Sequence, residues 1–162
     1  MEYLKNEYIF AFDFVSFVIK SYDPSWKTLS LLPRSDVNCF FFTQSISEAV
    51  AYILDKSVSS NASYCFDHWF KRQQINYENI KNLIKNFTVN VCMEEFSPST
   101  FLETCSFISE LSALAYIYGV CGAPPYAIFC ITHILSYFKK HEQFFDFSWS
   151  ELEEIALGMK LT

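Results

Sequence analysis

The chain has 162 residues, 51% of them hydrophobic, 19% aromatic and 19% charged, a balance that fits one domain burying roughly 70% of its unfolded surface. Only 3 glycines and 5 prolines occur, which argues against collagen, propellers and turn-rich β-sandwiches, since each needs frequent punctuation. Twelve basic against 18 acidic residues leave a formal charge of −6, so no positive field exists to displace counterions from phosphates, and nucleic acid is not expected as a partner.

The run 8–19 (YIFAFDFVSFVI) has the aromatic and β-branched composition of a strand. Its polar positions point to a helix instead: Asn6, Asp13, Ser16 and Lys20 fall at steps of seven, three and four, one narrow wet stripe on an otherwise apolar cylinder. Such a helix must be mostly buried. Asp23-Pro24 ends it, and 24–38 reads as a Ser- and Pro-rich connection. From about 40 to 58 the spacing of Ile46, Val50 and Ile53 predicts an amphipathic helix. Small polar residues from Ser57 to Ser63 are expected to break it, with a new helix starting near Tyr64.

Residues 77–93 repeat apolar side chains at Ile80, Leu83, Ile84, Phe87, Val91 and Cys92, the helical period. Ser97-Pro98 is a start signal, because Ser can accept from an orphan amide and Pro gives up only a donor already unpaired. Thr100 and Glu103 also fit a capping box. The helix that follows is expected to show its polar groups, Glu103, Ser106 and Glu110, along one face. Leu111 to Phe138 carries no charged side chain and a single His133, an apolar stretch of membrane-spanning length. Gly119, Gly122, Pro124 and Pro125 interrupt it, which predicts a helix ending by Tyr118, a second from about Tyr126 to Phe138, and an antiparallel buried hairpin. Lys139, Lys140 and His141 close that second helix at its negative end. Ser148 and Glu151 open a terminal amphipathic helix with Trp149, Leu152, Ile155 and Met159 on one side.

Motifs for chemistry are sparse. His68, His133 and His141 lie far apart, and Cys65-x-x-His68 supplies two ligands where a structural zinc needs four. No nucleophile elbow or Gly-rich loop is present. Catalysis, cofactors and metals are therefore not expected. Six cysteines (39, 65, 92, 105, 121 and 130) show no C-x-x-C spacing and read as reduced, buried thiols. Glu2, Lys5, Glu7 and Asp13 disfavour a secretory signal, so an intracellular chain is expected, with the sequons at Asn61 and Asn86 bare. Eighteen Phe, 10 Tyr and 3 Trp leave two readings open: a bulky ordinary core, or a core plus a hydrophobic cleft for a partner helix.

Three separated segments resemble the Bcl-2 family of apoptosis regulators. Phe12-Asp13-Phe14-Val15-Ser16-Phe17, leading to Tyr22 and Trp26, is similar to that family's fourth homology motif. Phe96 to Phe107 (FSPSTFLETCSF) resembles the first motif and the start of the central helix. Ser148-Trp149-Ser150-Glu151-Leu152 resembles the second, where a Gly-Trp pair opens a short helix. The resemblance covers about 150 residues loosely and some 30 closely. Two departures stand out. Relatives carry Asn-Trp-Gly-Arg where this chain has Ser97-Pro98-Ser99-Thr100, so the arginine that pairs with an aspartate of a bound peptide is missing. In the third motif Ile46, Val50, Ile53 and Asp55 are kept, but Leu54 replaces a small residue and Ser57 a fourth apolar anchor, which favours a groove wall over a ligand.

The resemblance implies an all-α bundle of about seven or eight helices, a single domain over 1–162, around a buried hydrophobic hairpin. It implies an anti-apoptotic receptor that sequesters the BH3 helices of pro-apoptotic relatives of the Bax, Bak and Bim kind in a groove bounded by Val58, Trp69, Phe87, Val91 and Phe107. Phe87, Val91 and Phe107 would form the floor, with Thr100 and Glu103 at the polar rim. Divergent motifs and no membrane tail are similar to viral members, herpesvirus ones above all, and imply a monomer in the host cytoplasm with peripheral contact at the mitochondrial outer membrane. Two other classes stay open: a hairpin that inserts into membranes as a pore-former or pro-apoptotic effector, and a helical enzyme pocket.

Overall fold

A computed structural model describes residues 5–27 and 41–160, all helices and connections, with no strand among them. The elements in chain order are α1 (Lys5–Lys20), α2 (Gln44–Ile53), a π-helical turn (Leu54–Val58), α3 (Ser59–Trp69), α4 (Tyr77–Cys92), α5 (Pro98–Ile117), α6 (Ala123–Lys140) and α7 (Ser148–Lys160). The connection expected over 24–38 lies for the most part outside the described residues, as does Cys39. None of these helices is long and apolar enough to cross a membrane.

Helix α5 is the axis of the molecule. It buries residues on every side, from Phe101, Leu102 and Cys105 to Ser109, Leu111 and Ala113, the pattern of a helix surrounded by others rather than lying on a surface. Its start is set by Ser97, whose hydroxyl accepts from the Thr100 amide, with Pro98 at the first helical position. Thr100 is thus the residue capped, not a second cap. The expected wet stripe fails beyond Glu103. Ser106 and Glu110 are buried, and Ser106 satisfies its hydroxyl by donating to the Leu102 carbonyl at 2.8 Å, which lets a polar residue sit inside a packed helix.

The connection after α5 turns at Gly119, whose φ of +93° is a left-handed conformation that glycine adopts without strain. Helix α6 returns antiparallel, so that Phe96, just before α5, meets Phe138 near the end of α6 with ring centroids 5.1 Å apart. The hairpin is asymmetric: α6 buries only one face and leaves Phe129 64% exposed on the other. Helix α1 covers this pair. Phe10 stacks near Phe101, Glu7 pairs with Lys139 at 3.2 Å, and beyond its other end Asp23 accepts a 2.6 Å hydrogen bond from the Tyr116 hydroxyl. As its narrow polar stripe requires, α1 is buried at Ile9, Phe10, Ala11, Phe14, Val15, Val18 and Ile19.

Two local expectations are corrected. The serines after Asp55 do not end the helix; a π-helical turn carries the chain from α2 into α3, which begins at Ser59 rather than near Tyr64. Ala62 and Phe66, one turn apart, are both buried, and their burial outweighs the weak helix propensity of the serines. In α7, Leu152 and Ala156 face inward, whereas Ile155 is 36% exposed. Ser148 accepts from the Phe145 amide instead of forming a capping box with Glu151. Helix α7 is fastened to the start of α2 by the Thr43 hydroxyl, which donates to Glu153, and by Phe41 against Trp149 at 4.4 Å.

Candidate functional site

Helix α4 needs an apolar stripe to bind the core, and Ile80, Leu83, Ile84 and Val91 supply it. Phe87 lies beside that stripe, half-buried, and reaches α5, where its ring sits 4.7 Å from Phe107 at 49°. Tilted packing of this kind is favourable for aromatic pairs. Together the two rings border an open cavity of about 460 Å³, within the range of about 300 to 1,000 Å³ of ligand-binding clefts.

The opposite wall comes from the end of α2 and the π turn. Tyr52 and Lys56 are four residues apart, one above the other on a helical face, and the Lys56 ammonium lies 4.9 Å from the centre of the Tyr52 ring, a cation–π contact that holds the charge at the mouth. Glu103, exposed one turn before Phe107, places a negative charge on the α5 side of the same mouth, with Thr104 beside it. Met159 of α7 closes one end. The site is thus an apolar trough with a cation on one lip and an anion on the other, arranged to receive an amphipathic object.

Of the residues expected to bound a groove, Phe87, Glu103 and Phe107 converge here. Trp69, Val91 and Thr100 do not line this cavity. Trp69 ends α3 and turns its indole to the neighbouring helix, donating to the Asn79 carbonyl at 3.1 Å. Val91 is 92% buried and belongs to the core stripe of α4. Thr100, in the first turn of α5, lies outside the trough, one turn before Glu103. Val58 falls in the π turn, and its side chain lies outside the described residues.

Tyr52, Lys56, Asn61 and Thr104 went unread in the sequence. Two signals were available: Tyr52 and Lys56 stand four residues apart within the helix expected over about 40 to 58, and Thr104 shares a face with Phe107. Met159 was already on the apolar side of α7.

The buried thiols offer no nucleophile. Burial pushes Cys92 up to about 11 and raises Cys65, Cys105 and Cys130 as well, so they stay protonated and pack as small apolar groups. All five described cysteines are free; Cys105 and Cys130 are buried as expected, Cys65 and Cys92 only partly so, and Cys121 is exposed, against the expectation. Among the described residues no three His, Cys, Asp or Glu side chains gather to hold a metal. Comparison with protein-family models, with curated proteins and with solved structures finds no match to this chain.

Proposed function

We propose that the protein is a helix receptor with a Bcl-2-like fold, which captures amphipathic BH3 helices of pro-apoptotic proteins in the trough between the π turn, α4, α5 and α7 and so restrains host-cell apoptosis. The observation that carries this reading is the convergence of Phe87, Phe107 and Glu103 on one open apolar cavity. Supporting it, the three segments that resemble family motifs fall on α1, at the head of the enclosed α5, and at the head of α7. The remnant of the third motif, Ile46, Val50 and Ile53, is buried in the chain's own core, the position of a wall and not of a ligand.

The absence of the family arginine is energetically tolerable. Burying four large apolar side chains yields about 6 to 12 kcal/mol gross, against about 0 to 1 kcal/mol for a partly exposed ion pair. Ordering the peptide and arresting its motion consume much of that gain, which leaves submicromolar affinity. Polar selection at the rim falls to Lys56, facing a ligand acid, and Glu103, facing a ligand base. Calorimetric titration with a panel of BH3 peptides tests the proposal: saturable heat from several of them is expected, and none from any would end it.

A further inference from the structure

A second cleft, of about 540 Å³, opens on the other side of Tyr52, between the end of α1, the end of α2 with its π turn, and the middle of α5. At its base stands Glu110, only 2% exposed, with Oε1 buried and without a hydrogen-bond partner. Burial holds its carboxyl up at about 7. A carboxylate in the most enclosed helix of a bundle is costly unless a cation or donors meet it, and among the described residues no basic side chain lines this cleft.

The rest of the lining completes one chemistry. Phe17 and Tyr22 of α1, 37% and 40% exposed, stand with Tyr52 of α2 as three aromatic rings around the opening, and Asp55 adds a second acid from the π turn. Aromatic faces and carboxylates both attract organic cations, whereas anions are repelled and neutral apolar groups would leave Glu110 unmatched. Leu54 and Val18 offer an apolar wall to an alkyl stem.

We infer that this cleft is a binding site for an organic cation, an ammonium or guanidinium head on an apolar stem, seated among Phe17, Tyr22 and Tyr52 with its charge toward Glu110 and Asp55. The head can belong to a free alkylamine or to a lysine or arginine side chain of a partner. The site is distinct from the peptide trough and does not rest on it.

The test is an NMR titration of the ¹⁵N-labelled protein at about pH 8, where Glu110 is mostly ionised, with butylammonium chloride, butylguanidinium chloride, a blocked Gly-Lys-Gly peptide, and 1-butanol as the uncharged isostere. Saturable shifts around Tyr22, Asp55 and Glu110 are expected for the cations and not for butanol. Free amines binding better than the peptide would identify a small-molecule source, and the reverse a protein side chain. Glu110→Gln should weaken the cations by about tenfold and Asp55→Asn by about threefold. Circular dichroism checks that the first variant is folded; Asp55, on the surface, keeps the test open if it is not. Equal response to butanol, no saturable response to any cation, or unchanged affinity in both variants would overturn the assignment.

Discussion

Exchanging Glu110 for glutamine removes a charge from the middle of α5 while keeping the shape of the side chain, and its effect on stability should depend on pH in a definite direction. Burial raises this carboxyl from 4.5 to about 7, so the folded protein holds the proton more tightly than the unfolded chain does. The stabilisation this provides is complete below about pH 4.5 and is lost as pH rises through about 7. One pKa unit corresponds to about 1.4 kcal/mol, so the span corresponds to about 3 kcal/mol, reduced to about 2 by water reaching the adjoining cleft. The wild-type protein should therefore lose about 2 kcal/mol between pH 5 and pH 8 relative to Glu110→Gln. Urea unfolding followed by circular dichroism at both pH values measures the difference. Asp55, Tyr22 and Tyr52, which border the same cleft, are unchanged in the variant. A variant-to-wild-type difference that does not change with pH would refute the claim that Glu110 is ionised against a desolvation cost.

Phe107→Ala should weaken every peptide that the trough binds, at a cost of about 1 to 2 kcal/mol in fold stability because the ring is only half-buried, whereas Glu103→Ala and Lys56→Ala should re-rank the peptides by their charges; titration of one panel against all three variants decides, and uniform effects of the charge variants would contradict their place at the rim. Gly119→Ala should destabilise the α5–α6 turn by about 1 kcal/mol or more, read from the urea midpoint, because φ is +93° there, although an added Cβ would meet no neighbouring atom. Tyr116→Phe should raise the Asp23 carboxyl toward its ordinary value, since the Tyr116 hydroxyl is the largest influence lowering it, and carbon-detected NMR titration of Asp23 would show an unchanged midpoint if that bond were absent in solution.

Periodicity carried most of the fold. The polar stripe of α1 told helix from strand where composition could not, and Ser97-Pro98 located the start of α5 because the cap is a local hydrogen bond. Gly119 and the prolines after it divided the apolar run into two helices for the same reason. Where long-range burial overrides local preference, the sequence misleads. Ser57 to Ser63 look like a break, yet Ala62 and Phe66 are drawn onto the core and the chain stays helical. Ser106 and Glu110 look like a wet face, yet α5 is surrounded.

The site divides along the same line. Phe107 and Glu103 lie one turn apart on one helix, a relation visible in sequence, and with Phe87 they reach the trough. Trp69, Val91 and Thr100 do not, because whether a residue near a helix end faces a cavity, the core or a neighbouring helix depends on how helices rotate against one another, which spacing within one helix does not encode. Lys56 was hidden for a related reason: it reaches the mouth only because the π turn prolongs the face begun by Tyr52.

The most direct test of the receptor account locates the ligand. In a complex of the protein with an isotope-labelled BH3 peptide, intermolecular nuclear Overhauser contacts should join the peptide's apolar anchors to the rings of Phe87 and Phe107. Contacts confined to other surfaces, such as the exposed face of α6 around Phe129, would contradict it.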